Sequence, residues 1–193
     1  MKKRGDIKQI YNAAIKVFAK YGYKKTTLED IGKELNMTKG NLYLYIKDKQ
    51  DLYHNAVGFA LLQWQNYVRH AVNKETDPRK KFVVMCQKAV EYLSLDDNFR
   101  NILIHDPDIF PMFGEHDPYK HINNNSVNMI RSILKDGIEK DVFRHVNLQS
   151  MSQAIFSIYK MFIIRMYILS EVKKVRKMFE QTLELITQGL FKE

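Results

Sequence analysis

The sequence predicts an all-α protein, and three observations carry that prediction. Apolar residues recur three and four positions apart over most of the chain, the spacing of one buried helical face. Helix-starting signals stand ahead of those stretches: Thr27 followed by Asp30, Thr38, Asp48, and the pair Asp77–Pro78. Strand-like alternation fits poorly throughout, and only 8 glycines and 4 prolines punctuate the 193 residues. About nine helices are expected, in a three-helix domain over residues 1–47 and a larger helical domain over 48–193.

In the first helix, Ile7, Ile10, Tyr11, Ala14, Phe18 and Tyr21 keep helical spacing, and Gly22 is placed to stop it. Thr27 can cap the second, with Asp30 three residues on to complete a capping box. Leu28, Ile31 and Leu35 then form one apolar face. Gly32 lies on that face although glycine costs a helix about 1 kcal/mol against alanine, which predicts close approach by the next helix. Asn36 follows where the chain must turn sharply, and asparagine tolerates left-handed backbone angles. Thr38 can cap a third helix over residues 39–46. Its Leu42 and Ile46 would point into a small core, and Lys39, Asn41 and Tyr43 outward. Two short helices across a tight turn, the second polar and ending in aromatics, have the layout of a helix-turn-helix that enters the DNA major groove.

Charge supports this reading independently. Residues 1–50 carry 12 Lys and Arg against 5 Asp and Glu, a net +7, whereas residues 51–193 carry 19 against 17, a net +2. A basic excess concentrated on the helix-turn-helix is what phosphate neutralisation by counterion release requires. A lysine-rich terminus can also be a merely solvated face, but here it coincides with the motif. Thr27, Thr38, Tyr43, Tyr45 and Lys49 offer hydroxyls or a cation to phosphate oxygens, contacts that set register. Gly40 admits close backbone approach. Lys39 suits guanine O6 or N7, and Asn41 a base edge or a phosphate. Tyr45 has an alternative place in the small core, and Leu44 either meets a thymine methyl or is simply exposed.

The stretch AAIKVFAKYGYKKTTLEDIGKELNMTKGNLYLYIKDKQDLY resembles the N-terminal domain of TetR-type (TetR/AcrR) transcriptional regulators. The matching marks are Phe18, Gly22–Tyr23, Thr26–Thr27, Ile31, Lys39–Gly40–Asn41–Leu42–Tyr43, Tyr45, Lys49 and Leu52. Asn36 stands where that family usually has glycine and Ile46 where it usually has phenylalanine, both physically tolerable. The resemblance implies that the recognition-helix positions, Thr27 and Lys49 contact DNA.

From Asp48 onward the chain reads as helix after helix. A fourth, capped by Asp48, runs to about Ala71 with Leu52, Ala56, Phe59 and Leu62 on one face. Asp77–Pro78 starts a fifth that reaches about Leu95, with Phe82, Met85, Cys86, Ala89, Tyr92 and Leu93 inward. A short helix is expected over Asp96–Asp106, a short helix or ordered loop over 109–117, and a seventh helix over about Tyr119–Lys140. Residues 154–169, AIFSIYKMFIIRMYIL, are apolar nearly all the way round and must be buried on most sides. The last helix, Val172–Leu190, carries one apolar stripe. Two such helices from each protomer predict a four-helix homodimer interface through Ile155, Ile163, Phe179, Leu183, Ile186 and Leu190. A two-fold dimer also suits paired operator half-sites about 34–36 Å apart, and the family resemblance implies the same assembly.

The resemblance further implies a small-molecule effector in the larger domain whose binding tilts the DNA-binding domains. Adaptable side chains able to line a site for an apolar or amphipathic compound include Met85, Tyr92, Phe99, Phe110, Phe113, Tyr159 and Phe162. Each has an alternative as ordinary core. Arg100, Lys160 or Arg165 could meet an anionic head group. His105, Asp106, Asp108, His116, Asp117 and His121 crowd together but match no tight ligand spacing, so no metal site is expected. No phosphate-binding loop or nucleophile elbow appears, so no catalytic residues or cofactors are expected. No apolar run reaches the ~18 residues of a membrane helix, and no signal-peptide segment is seen. The single Cys86 fits a reducing cytoplasm. The sequence reads as a DNA-binding transcriptional regulator, a repressor released from a palindromic operator by its effector. The alternatives are a ligand-independent structural DNA-binding protein and a helical carrier.

Overall fold

The computed structural model describes residues 4–109, 111, 117–168 and 172–192. Among them are nine α-helices: α1 (Arg4–Lys25), α2 (Leu28–Glu34), α3 (Lys39–Leu42), α4 (Lys49–Val72), α5 (Pro78–Leu95), α6 (Asp97–His105), α7 (Lys120–Glu139), α8 (Leu148–Ile163) and α9 (Val172–Leu190). A single 3₁₀ turn follows α6 at Pro107–Ile109, and α8 runs on into a π-helical turn at Ile164–Ile168. The all-α prediction holds. Of the segment expected to be a short helix or loop, residues 110 and 112–116 lie outside the described residues, and so does Leu169 of the apolar run.

Local chemistry sets most boundaries. Gly22 breaks α1 at φ 76° and ψ 161°, a region open essentially to glycine alone, and the last turn continues to Lys25. Asp48 caps α4 by accepting from Asp51 N at 2.8 Å. Asp77 accepts from Arg79 N at 3.0 Å beside the N1 proline of α5, and Asp96 caps α6 through Phe99 N at 2.9 Å. At α8 the cap is Asn147, which accepts from Ser150 N at 2.9 Å. That helix therefore begins six residues before the apolar run that revealed it.

Contacts divide the chain into two compact units, residues 1–63 with 96–106, and residues 64–95 with 107–193. The boundary falls inside α4. In the first unit α1 packs on α2 and α6, and α2 on α3. Its core is Ile10, Ala14, Phe18, Leu28, Ile31, Leu42, Leu52, Phe99, Ile102 and Leu103, with Tyr53 edge-on to Phe18 at 4.9 Å. In the second unit α7 packs on α5 and α8. There Phe143 lies against Gly137, where an added Cβ would fall 2.1 Å from its ring. Phe191 stacks on Phe143 at 5.0 Å, and Arg144 N donates to Leu190 O at 2.8 Å.

Some expected faces are rotated. Tyr21 is 45% exposed rather than inward, and the Lys20 ammonium lies 4.9 Å from its ring centre. In α4 Leu62 is 39% exposed. The buried stripe there is Leu52, Tyr53, Ala56, Val57, Ala60, Leu61, Trp64 and Val68, a choice that spacing alone left ambiguous.

Candidate nucleic-acid interface

The helix-turn-helix is built from hydrogen bonds that its sequence specifies. Thr27 Oγ1 accepts from Asp30 N at 3.2 Å while Thr27 N donates to Asp30 Oδ2 at 3.0 Å, a reciprocal capping box. The Thr27 hydroxyl also donates to Asp30 Oδ2 at 2.6 Å. The two bonds that Thr27 donates to the carboxylate, the hydroxyl's above all, hold the Asp30 carboxyl below its ordinary pKa. Asn36 adopts φ 53°, and Met37 N turns back to donate to Gly32 O at 2.8 Å. A Cβ on Gly32 would lie 2.6 Å from Met37 O. Gly32 is thus required by the turn's backbone, not by the following helix as the sequence suggested.

Thr38 caps α3, accepting from Asn41 N at 3.2 Å. Regular helix ends at Leu42, earlier than the expected Ile46. Leu44 N donates to Asn41 O at 3.3 Å and Tyr45 N to Leu42 O at 2.9 Å, tightening the chain into 3₁₀-like turns. Leu42 and Ile46 are buried as expected and fix α3 to the core. Lys39, Gly40, Asn41, Tyr43 and Leu44 are left facing water. Tyr43 is 48% and Leu44 61% exposed, so the outward surface has apolar area that only a partner would cover.

The expected phosphate contacts are unequally placed. Thr38 is exposed and Tyr45 half-buried. The Lys49 ammonium donates to Tyr23 O at 2.9 Å and Thr26 O at 3.0 Å, and it sits 4.5 Å from the centre of the Tyr23 ring. Two of its three donors therefore tie α4 to the α1–α2 connection. Lys39 pairs with Glu29 of α2 at 3.0 Å, with side chains 46% and 53% exposed. Their hydrogen bond is the main cause that lowers the Glu29 pKa and raises that of Lys39. Glu29 was not singled out from the sequence, because no short-range spacing links residues ten apart across a turn.

The effector candidates divide. Phe99 lies in the core of the first unit, whereas Met85, Tyr92, Tyr159 and Phe162 lie in the second. Phe110 and Phe113 lie outside the described residues. Trp64, which sequence reading passed over, gathers part of this set. It stacks on Tyr92 at 6.1 Å and tilts against Tyr159 at 6.0 Å. Trp64 Nε1 and the Tyr159 hydroxyl both donate to Ala89 O, at 3.0 and 3.1 Å. Burial holds the Tyr159 phenol well above its ordinary pKa and pushes the Cys86 thiol up to about 12. An apolar seam of about 20 Å³ runs along Cys86, Ile158, Tyr159, Phe162, Leu183 and Ile186, little more than the ~10–15 Å³ one water needs. Among candidate head-group cations, Arg100 pairs with Asp97 at 2.7 Å, Lys160 donates to Pro111 O at 2.8 Å, and Arg165 is half-buried.

The proposed dimer residues also separate. Ile155, Ile163, Phe179 and Leu190 are already buried within one protomer, so they have little surface left for a partner, whereas Leu183 and Ile186 are half-buried. Asp106 accepts from Tyr53 OH at 2.6 Å and Asp117 from Asn123 Nδ2 at 2.8 Å. Among the described residues no three His, Cys, Asp or Glu side chains converge to hold a metal ion. No described helix is long and apolar enough to cross a membrane.

Residues 10–56 match the family of bacterial regulatory proteins, tetR family. The chain carries a TetR-family N-terminal domain. The fatty acid metabolism regulator protein of Bacillus subtilis is 26% identical over 96 residues, half of each chain. The biofilm operon icaADBC negative regulator IcaR of Staphylococcus epidermidis is 39% identical over 49 residues, 25% of this chain and 26% of that one. The chain thus aligns with half or less of the length of these two relatives. Over its fold it is similar to Bacillus subtilis FadR, solved in complex with stearoyl-CoA, with TM-score 0.74 and 20% identity over 94% of this chain and 97% of that one. The likeness in fold therefore continues beyond the helix-turn-helix.

Proposed function

We propose that this protein is a homodimeric, sequence-specific DNA-binding transcriptional repressor released from a palindromic operator by a small amphipathic effector. The observation that carries the reading is the build of α3: Leu42 and Ile46 anchor it while Lys39, Gly40, Asn41, Tyr43 and Leu44 face outward. That outward set combines a cation, an amide, a phenol and close backbone access, the chemistry of groove reading. Residues 1–47 supply the DNA contacts. Residues 48–193 supply the effector site and the dimer contact, to which Leu183 and Ile186 offer accessible apolar surface. The protein acts in the cytoplasm and needs no cofactor.

For the effector we favour a long-chain acyl compound. FadR was solved with stearoyl-CoA, and in the second unit here Tyr92 and Tyr159 gather against Trp64, with Tyr67 beside Tyr92. The seam beside Tyr159 is too narrow for an acyl chain, so binding would have to open it.

The test is fluorescence anisotropy on duplex DNA flanking the protein's own gene, with scrambled duplex as competitor and stearoyl-CoA as titrant. Selective binding weakened at least tenfold by stearoyl-CoA supports the whole reading. Selective binding indifferent to acyl compounds removes the effector class. Equal binding to both duplexes points to a structural DNA-binding protein instead.

A further inference from the structure

Lys39 opens the recognition helix, yet its charge is not free. Its ammonium lies 3.0 Å from the Glu29 carboxylate across the turn, and both side chains remain about half exposed. The other first-turn acid of α2, Asp30, is absorbed by the capping box. Glu29 thus stands on the outer surface of the motif with Lys39 as its charged partner, in a chain whose first 50 residues are otherwise strongly basic. A carboxylate facing DNA repels phosphate, so a role in adding general affinity is excluded.

We propose that Glu29 is a selectivity-determining positioning residue, which holds the Lys39 ammonium away from the phosphates and directs its remaining donors at a base edge. An ammonium has three N–H donors. One engages Glu29, and two are left for the O6 and N7 acceptors that guanine presents together in the major groove. On non-specific DNA the paired charges nearly cancel, and Lys39 displaces no counterion. At the correct site the bridged ammonium meets its acceptors without first having to be ordered. Glu29 acts through Lys39, and its effect is to widen the gap between operator and random DNA.

This inference rests on the DNA-binding reading above, and one experiment separates the two. Duplexes are selected from a randomised pool by the wild-type protein. Affinities for the selected and for a scrambled duplex are then measured from 50 to 200 mM salt. If the wild type enriches no sequence, both the regulator reading and this inference fall. If it does enrich one, Glu29→Gln is expected to bind scrambled duplex about threefold or more tighter at 50 mM salt, the worth of one freed phosphate contact. Its slope of log affinity against log salt should steepen by about 0.9. The selected duplex should gain no affinity, so the specificity ratio falls.

Glu34→Gln supplies the control. It makes the same charge change in α2, where Glu34 pairs with Lys16 at 2.6 Å, and it should leave the ratio within twofold of wild type. In a Lys39→Met background Glu29→Gln relieves only its own repulsion of phosphate, so it should shift the selected and scrambled duplexes alike and leave the specificity ratio within twofold. Equal falls in the specificity ratio for Glu29→Gln and Glu34→Gln, or a fall in that ratio on Glu29→Gln that survives without Lys39, would overturn the inference and leave the regulator standing.

Discussion

Replacing Gly32 by alanine sets two physical effects against each other. Helix propensity alone favours alanine in α2 by about 1 kcal/mol. Geometry opposes it, because the new Cβ would stand 2.6 Å from Met37 O, a backbone atom with no side-chain rotamer to yield. Opening that contact to 3.0 Å moves the turn by about 0.4 Å and strains the Met37 N to Gly32 O hydrogen bond of 2.8 Å. Overpacking of this kind costs about 1–3 kcal/mol and a lost hydrogen bond about 0.5–1.5. After the propensity gain, the net expectation is a loss of about 1–3 kcal/mol. For a chain of this length that lowers Tm by about 3–10 °C, read by circular dichroism. Gly189 in α9 provides the contrast, since nothing lies within 4 Å of its added Cβ. Gly189→Ala should stabilise by up to about 1 kcal/mol. If Gly32→Ala also stabilises, the turn is not as tight as described and the placement of α3 loses its physical basis.

Three further outcomes follow from the same geometry. Phe143 is fully buried between Gly137 and Phe191, so Phe143→Ala should cost about 3–5 kcal/mol in urea unfolding; a loss below 1 would refute that packing. Cys86, with its thiol pushed up to about 12 by burial, should resist iodoacetamide at pH 8 in the folded protein and react on unfolding; rapid native labelling would contradict its placement. The Asp30 carboxyl is held low by Thr27, so its contribution is present above its unfolded pKa of about 3.9 and fades as pH falls through the folded value. The destabilisation by Asp30→Asn should therefore be visible at pH 7 and shrink towards pH 3, and a pH-independent difference would count against the capping box.

The parts of the fold legible in the sequence are those decided within a few residues. The Thr27–Asp30 box, the Asn36 turn, the break at Gly22 and the Asp77–Pro78 start each rest on local backbone chemistry, and each stands where its spacing placed it. Where the outcome depends on distant partners, spacing was insufficient. Leu61 and Leu62 are equally apolar neighbours, and only packing decides that Leu61 turns inward. Ile163 and Leu190 belong to an apolar run and stripe that suggested an interface, yet their own protomer buries them. Phe99 was grouped with Tyr159 by residue type, while the chain sends it to a different unit. In the candidate interface the outward face of α3 was readable from Leu42 and Ile46. The engagement of Lys49 with Tyr23 and Thr26 was not, because it joins residues more than twenty apart.

The most direct test of the central claim is hydroxyl-radical footprinting on the duplex that the wild-type protein selects from a randomised pool, repeated with Lys39→Ala/Tyr43→Ala. A two-fold symmetric footprint with protected half-sites about 34–36 Å apart, erased in the variant while its helical circular dichroism is unchanged, is the expected result. A footprint that persists in the variant, or a pool with no enriched sequence, would contradict α3 as the reading element.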